Sequence, residues 1–461
     1  MIDIRDIQRV YFIGIGGIGM SALARYFKFH GKEVSGYDKT ETPLTKQLVS
    51  EGIPVHYEDN LTLAPKDAQL VVFTPAVPKD HSELLYFQQN NYPLLKRSEV
   101  LGAITRSSFN ICVAGTHGKT TITTMVAHIL RHSGYGCNAF LGGIAVNYNS
   151  NYWSDKRDTC VVEADEYDRS FLRLSPDVAV ISAMDPDHLD IYGTASAMEE
   201  AFVEFAGKIK PGGLLISKYG LTRGSDLKAP NHFTYHLQNP QADVYTANIQ
   251  MQHGSYTFDV RVKNWQLSNV VLNMGGLHNV ENVTAAIAIA HQLGIDDEKI
   301  KAAVEAFKGV KRRFEYVVKT PAITFVDDYA HHPEELRALI SGAKGLFANM
   351  HCTVIFQPHL FTRTRDLATE FAEVLDMADE VVLLPIYPAR ELPIAGVTSN
   401  MVLELMTNEH KTVMNKEELI QWIGSVAKSK TDGANGWLLI TAGAGDIDTL
   451  VQPIKKIIES K

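Results

Sequence analysis

Ile111-Cys112-Val113-Ala114-Gly115-Thr116-His117-Gly118-Lys119-Thr120-Thr121 is the stretch that decides how this 461-residue chain folds. Four apolar residues in a row read as a buried strand. A turn holding two glycines follows, and Lys119-Thr120-Thr121 opens a helical pattern through Met125, Val126, Ile129 and Leu130. Strand, glycine turn and helix in that order make a phosphate-binding loop. The glycines let backbone N–H groups curl around phosphate oxygens, and the helix N-terminus presents the positive end of its dipole. Gly115, Thr116, His117, Gly118 and Thr121 then frame the phosphates. Lys119 reaches the β- and γ-phosphates, and the Thr120 hydroxyl suits Mg²⁺. The expected nucleotide is ATP.

Upstream, Arg9 to Gly14 reads as a strand, with Gly14-Ile15-Gly16-Gly17-Ile18-Gly19-Met20-Ser21 after it and a helix to about Phe29. A second strand, Glu33 to Asp38, ends in an acid. Gly14, Gly16 and Gly19 fit the dinucleotide fingerprint, with Asp38 where a ribose-binding acid stands. A nicotinamide or flavin cofactor satisfies that pattern, and so does any nucleotide diphosphate, a UDP-sugar included. Further strand-like runs at 69–74 and 92–95 give this segment the alternation of a small parallel sheet.

Downstream, Glu163-Ala164-Asp165-Glu166-Tyr167-Asp168 and Asp185-Pro186-Asp187-His188-Leu189-Asp190 each follow a strand, at 159–163 and 178–182. Carboxylates at the C-terminal edge of a parallel sheet face the ligand crevice, and beside a phosphate loop they suit Mg²⁺. His188 is either a metal ligand or a pin for its loop. Residues 240–275 alternate with period two and read as antiparallel strands, and an Ala-rich helix runs from Gly276 to about Gln292. After Gly309-Val310-Lys311-Arg312-Arg313-Phe314, strands at 322–327, 352–357, 380–385 and 437–441 alternate with helices, a third α/β sheet. The paired arginines suit a phosphate clamp or a solvated charge run. Asp327-Asp328-Tyr329-Ala330-His331-His332-Pro333 and Gln357-Pro358-His359-Leu360-Phe361-Thr362-Arg363 set His, Asp and Arg at two strand ends of that sheet. Capping suits His332 and Thr364 better than it suits His331 or Arg363.

A formal net charge of −9 argues against a general nucleic-acid or anionic-membrane binder. The four cysteines, Cys112, Cys137, Cys160 and Cys352, form no Cys-x-x-Cys pair, so neither a zinc knuckle nor a disulfide framework is indicated. The first residues, Met1-Ile2-Asp3-Ile4-Arg5-Asp6, lack the basic and apolar run of a signal peptide, and no apolar run reaches membrane-spanning length. The expected compartment is the cytoplasm.

In order, AGTHGKTT, EADEYDRSFL, DPDHLDIY, GLHNVENVTAA, KRRFE, DDYAHHP and FQPHLFTRT resemble the Mur ligases, ATP-dependent amide-forming enzymes of peptidoglycan assembly. Together with GIGGIGMSALA near the start, the HHP and FQPH motifs look like the branch that adds L-alanine to UDP-N-acetylmuramate. The resemblance spans nearly the whole chain. It implies a Rossmann-like N-terminal domain over 1–106 that binds the UDP-sugar. A central P-loop ATPase-like α/β domain with extra antiparallel strands follows over 107–310, and a Rossmann-like C-terminal domain over 311–461 brings the amino acid and closes on the other two.

By motif match, Gly14, Gly16, Gly17, Gly19, Met20, Ser21 and Asp38 would bind the UDP-sugar. Lys119 would contact the transferred phosphate, Thr120 and Glu163 would hold one Mg²⁺, and His188 would serve a second. Asn279 and Asn282 would lie near the adenine, and Arg312 and Asp328 would meet the nucleotide. Tyr329, His331, His359 and Arg363 would line the amino-acid pocket, with His331 and His359 as candidate proton acceptors. Two features depart from the pattern. Leu189 to Gly207 holds no lysine, where related ligases often carry a carbamylated one, and Leu360 stands in place of a family arginine. A recycling ligase that attaches a tripeptide to the same sugar shares this plan. A nicotinamide oxidoreductase accounts for Gly14 to Asp38 but leaves Gly115 to Thr121 unexplained. The oligomeric state is open.

Overall fold

The structure is a computed structural model. It describes all residues except 1–3, 5, 187, 188, 390, 432–435 and 461, and only the backbone of Asp168, Leu189, Asp190 and Thr431. Three sheets follow one another along the chain. The first holds β1 (Arg9–Ile13), β2 (Glu33–Tyr37), β3 (Val55–His56), β4 (Leu70–Phe73) and β5 (Leu94–Lys96). Its helices are α1 (Ile18–Phe29), α2 (Pro43–Ser50), α3 (Ser82–Gln89) and α4 (Arg97–Ser107). The strand order is β3-β2-β1-β4-β5, parallel throughout. The order reverses at β1, so the turn after Ile13 opens into the crevice where such sheets take ligands. α2 starts cleanly because Thr42 and Thr45 form a capping box around Pro43 at the first helical position.

The second sheet begins with β6 (Phe109–Ala114), α5 (Lys119–His132), β7 (Asn138–Ala145), β8 (Ser150–Trp153), β9 (Thr159–Glu163) and β10 (Val178–Ile181). α6 (Leu189–Tyr192), α7 (Ala195–Ala206), β11 (Leu214–Lys218) and β12 (Asn231–His236) come next. It ends with β13 (Val244–Gln252), β14 (Ser255–Val262), β15 (Trp265–Leu272), α8 (Leu277–Gln292) and α9 (Asp297–Ala306). The order is β15-β14-β13-β12-β11-β10-β6-β9-β7-β8. β6 lies between β10 and β9 and is parallel to both, so the two acid-bearing strand ends flank the phosphate loop. The sheet pairing needs Ile111, Cys112, Val113 and Ala114 inside, and all four are fully buried. Covering an aliphatic side chain this completely contributes about 1.5–3 kcal/mol.

The third sheet comprises β16 (Glu315–Lys319), β17 (Ile323–Asp328), α10 (Pro333–Leu346), β18 (His351–Phe356), α11 (Phe361–Asp366), α12 (Ala368–Leu375) and β19 (Glu380–Leu383). α13 (Ser399–Leu405), β20 (Lys411–Val413), α14 (Lys416–Thr431), β21 (Trp437–Ala442) and α15 (Asp448–Glu459) complete it. Its order is β16-β17-β21-β18-β19-β20, parallel except for the antiparallel edge strand β16. The sequence pattern predicts a helix over 367–378, and α12 fills Ala368–Leu375 of it, with the short α11 just before.

By contact density the chain forms two compact units. One is Met1–Ala247 with Val260–Leu267 and Glu281–Val304. The other is Asn248–Asp259 with Ser268–Val280 and Glu305–Lys461. The first unit therefore holds the first sheet and the second sheet from β6 to β12, while β13, β14 and β15 are divided between the two units. One apolar cluster runs through the first unit from Phe12 and Phe27 to Phe140, Phe171 and Phe202. Polar groups tighten the same junction. Asn151 Nδ2 donates to Ile18 O at 2.6 Å, and Asn151 Oδ1 accepts from Arg25 Nη1 at 2.6 Å while Arg25 Nε donates to Glu51 at 2.6 Å. The second unit has its own core around Phe325, Ile355, Trp437 and Ile454. All four cysteines are buried free thiols. Among the described residues no helix is long and apolar enough to cross a membrane.

Candidate active site

The turn after β6 is built for phosphate. Gly115 has φ +135° and Gly118 φ +82°, both in the region glycine favours. Space demands glycine too. A Cβ at Gly115 would strike Ser182, and one at Gly118 would lie 2.8 Å from Asn282 Oδ1. Gly118 is the N-cap of α5 and offers no capping side chain, so the first N–H groups of the helix are not capped from it. Thr116 N–H donates to Ala183 O at 3.1 Å, and Ser182 Oγ donates to His117 O, which tie the loop to the end of β10. His117 is exposed, and Thr121 is buried beneath the loop.

Lys119 Nζ donates to Gly115 O at 2.8 Å and to Glu166 Oε1 at 2.6 Å. Glu166 is fully buried, and burial pushes its carboxyl above the usual carboxylate range while Lys119 pulls the other way. Desolvation wins even at 2.6 Å because so little water reaches the pair. Beside it, Thr120 Oγ1 donates to Glu163 Oε1 at 3.0 Å and Gly142 N–H donates to Glu163 Oε2 at 3.0 Å. A hydroxyl and a carboxylate thus converge at the loop. His188 lies outside the described residues.

The turn after β1 differs in part from its expected role. Gly14 has φ +85°, and the N–H groups of Gly14 and Ile15 both donate to Tyr37 O, at 2.8 and 2.9 Å. Asp38, expected on a ribose, accepts from Gly16 N–H at 2.7 Å and from Thr40 N–H at 3.1 Å. It therefore braces the loop, and its oxygens are taken up locally. Met20 and Ser21, expected to touch the ligand, are both buried. They fall on the inner face of α1, where Ser21 Oγ accepts from Asn151 Nδ2 at 3.2 Å. The helix period carries them inward once Gly17 has capped it. Gly14, Gly16, Gly17 and Gly19 stay at the turn and the start of the helix.

In the second unit, Arg312 has φ +60°, donates to Gly443 O, and sits 3.4 Å from Asp327 with its guanidinium over the Tyr329 ring. Asp328 accepts from Phe314 N–H at 2.6 Å and from Ala330 N–H at 2.7 Å. Expected against a nucleotide, Arg312 and Asp328 are here engaged in shaping the hinge segment itself. Burial raises Asp327 to about 7 and Asp328 to about 6. Tyr329, His331 and His359 form an aromatic run. Tyr329 meets His331 edge-on at 5.3 Å, His331 meets His359 at 6.0 Å, and His359 stacks on Tyr387 at 5.8 Å and 18°. Burial holds His331 below the ordinary imidazole range, against the pull of Glu335. Arg363 Nη1 is buried with no hydrogen-bond partner. Leu360 sits at φ +70° and donates its N–H to Tyr387 O at 3.0 Å. His332 is the N-cap of α10. Asn279 Nδ2 donates to Gly275 O at 2.7 Å, whereas Asn282 belongs to the first unit and is buried there beside Gly118.

Known families match along this whole arrangement. The model described as Mur ligase family, catalytic domain, covers 9–109; that of the Mur ligase middle domain covers 113–290; that of the Mur ligase, glutamate ligase domain, covers 312–445. The chain belongs to the Mur ligase family. Among relatives of this Mur ligase, the UDP-N-acetylmuramate--L-alanine ligase of Cytophaga hutchinsonii is 46% identical, covering 100% of this chain and 98% of its own. That of Porphyromonas gingivalis is 48% identical over 98% and 99%. The crystal structure of UDP-N-acetylmuramate-alanine ligase from Thermotoga maritima matches with TM-score 0.81 and 29% identity, covering 98% of this chain and 99% of that one.

Three site groups of this Mur ligase escape sequence reasoning. Glu166 was one of four acids in a run, with nothing to mark it as the partner of Lys119. Gly142 carried no usable signal, because a glycine marks a close backbone approach only inside a recognised strand and β7 does not read as one. Tyr387 reaches His359 through an isolated bridge from a distant loop, which no local pattern announces.

Proposed function

We propose that this Mur ligase joins L-alanine to the lactyl carboxylate of UDP-N-acetylmuramate in the cytoplasm, with ATP converted to ADP and phosphate. The functional segments would be 1–106 for the UDP-sugar, 107–310 for ATP and 311–461 for the amino acid. The observation that carries the reading is full-length likeness at 46–48% identity to relatives bearing that activity, in a chain whose phosphate-loop groups are all present.

The chemistry follows from the residues. The sugar carboxylate attacks the γ-phosphorus, and ADP leaves. An acyl phosphate forms, the alanine amine attacks its carbonyl carbon, and phosphate departs from the tetrahedral intermediate. No protein nucleophile is required. Lys119 and the N–H groups at the start of α5 neutralise the crowded phosphate oxygens. Thr120 and Glu163 are hard oxygen donors that fit Mg²⁺, and His188 would serve a second ion. Bound Mg²⁺ would supply charge neutralisation on the phosphates. Asn279 and Asn282 would flank the adenine.

Arg363 would take the carboxylate of the amino acid, its buried Nη1 having no internal partner. An ammonium cannot attack, so a base must take its proton. His331, held below the ordinary imidazole range, is neutral near pH 7 and suits that role, with His359 beside it.

The test is phosphate release from ATP by purified protein with UDP-N-acetylmuramate, comparing L-alanine, glycine, L-serine and a tripeptide. L-alanine-dependent release is expected. Release with the tripeptide alone, or none with L-alanine, overturns the reading.

A further inference from the structure

We propose that Arg97 binds the reacting carboxylate of the sugar substrate, and that Gly19 is glycine so that Arg97 can lie across the start of α1. The inference rests on the function proposed above and adds a residue to it.

Within the first unit a cavity of about 270 Å³ is walled by Gly19, Arg97, Gly142, Glu163 and Asp165. Arg97 opens α4 directly after β5, at the C-terminal edge of the first sheet. Its side chain is only 27% exposed, yet among the described residues its one acidic neighbour is Asp165, 3.6 Å away. That is beyond hydrogen-bond reach. A guanidinium carries five N–H donors and no acceptor, and covering it without partners is costly. It is therefore set up for an anion that enters the cavity.

Gly19 supports the same reading. It is the third glycine of the Gly14-x-Gly16-x-x-Gly19 pattern, where glycine ordinarily serves helix–strand packing. Here its φ is not in the left-handed region, and the nearest atoms to a Cβ at that position are Arg97 Cδ and Nη1, each at 2.9 Å. No strand atom comes as near. What excludes a side chain at residue 19 is the arginine.

The choice of anion follows from the two ends of the cavity. At one end Ile18 and Gly19 line it, at the start of α1 directly after Gly14 to Gly17, the turn proposed for the diphosphate. The other wall carries Glu163, the partner of Thr120 beside Lys119. A group placed between them is the one that must meet the γ-phosphate, the carboxylate. A planar carboxylate matches the guanidinium fork bidentately, and Asp165 already samples that direction from 3.6 Å.

The experiment compares wild type, Arg97→Met, Arg97→Lys and Gly19→Ala, each checked for an unchanged melting temperature. It reads KM for UDP-N-acetylmuramate, KM for ATP, and inhibition by UDP-N-acetylglucosamine, which keeps the diphosphate and lacks the lactyl carboxylate. Loss of a charge-assisted pair should raise KM for UDP-N-acetylmuramate about ten- to hundredfold in Arg97→Met. Arg97→Lys and Gly19→Ala should show smaller rises. KM for ATP and the UDP-N-acetylglucosamine inhibition constant should hold within about twofold of wild type. An unchanged KM for UDP-N-acetylmuramate in Arg97→Met and Gly19→Ala overturns the proposal. So does parallel weakening of UDP-N-acetylglucosamine, which would put Arg97 on the diphosphate. A wild type with no L-alanine-dependent phosphate release would instead sink the functional reading, independently of Arg97.

Discussion

Gly142→Ala should uncouple metal use from stability. Gly142 lies in β7 facing the end of β9, and its φ is not in the left-handed region, so alanine is allowed by the backbone. The added methyl would overlap the Cδ and both oxygens of Glu163. Carbon and oxygen atoms in contact need more than roughly 3 Å, so the carboxylate must withdraw by roughly 1 Å. Its bonds from Thr120 Oγ1 and Gly142 N–H, both 3.0 Å, would then open to roughly 4 Å, which is no hydrogen bond. The clash falls on the end of a flexible side chain, so global stability should fall by no more than about 1 kcal/mol. If Glu163 holds Mg²⁺ as proposed, misplacing it by this much costs about ten- to hundredfold in metal affinity or turnover. The assay is phosphate release titrated with Mg²⁺, beside thermal unfolding. A raised half-saturating Mg²⁺ and a lowered kcat at near-native melting temperature are expected. A Mg²⁺ titration superimposable on wild type, with kcat within about twofold, would refute the placement of Glu163 at the metal.

Other outcomes follow from the same geometry. Lys119→Ala should abolish ligation, leave UDP-sugar binding largely intact by calorimetry, and destabilise the fold by about 3–5 kcal/mol, because Glu166 is left buried without its cation. His359→Gln and Arg363→Ala should each raise the KM for L-alanine by about tenfold or more while the KM for ATP holds; unchanged affinity for L-alanine would remove both from the pocket. Asp327 is raised in the folded state from 3.8 to about 7, so its contribution to stability is full below pH 4 and is lost as pH rises through about 7. At about 1.4 kcal/mol per pH unit this amounts to about 4 kcal/mol, and Asp327→Asn should flatten that dependence in denaturant unfolding between pH 4 and 8. His331 runs the other way. Its imidazole is held below 6.5, so acidification through that range should weaken the wild type more than His331→Gln and should also slow the amine step.

Local pattern carried much of this protein. The phosphate loop was legible because each of its parts is a short-range rule: an apolar strand, two glycines at positive φ, a lysine and threonine at a helix start. The strand-end acids and the aromatic His cluster were legible as edges of parallel sheets. The period-two stretch came out as β13, β14 and β15. Strands β7 and β8 were not foreseen, since Asn138 to Trp153 mixes glycines and polar residues that look like loop until the edge of the sheet receives them.

What the sequence determined by itself was the kind of chemistry and the order of the three sheets, because both rest on contacts between neighbours in the chain. Tertiary structure alone decided which groups meet. It turned Met20 and Ser21 inward against Asn151 and spent Asp38 on its own loop. It also gave Glu166 to Lys119 and set Gly142 against Glu163. It joined the first sheet to the β6–β12 part of the second in one unit, through an apolar cluster that no single segment contains. The physical reason is the range of the forces. Backbone conformation and helix starts are fixed within a few residues, whereas burial, desolvation and close approach are properties of residues up to a hundred and more positions apart.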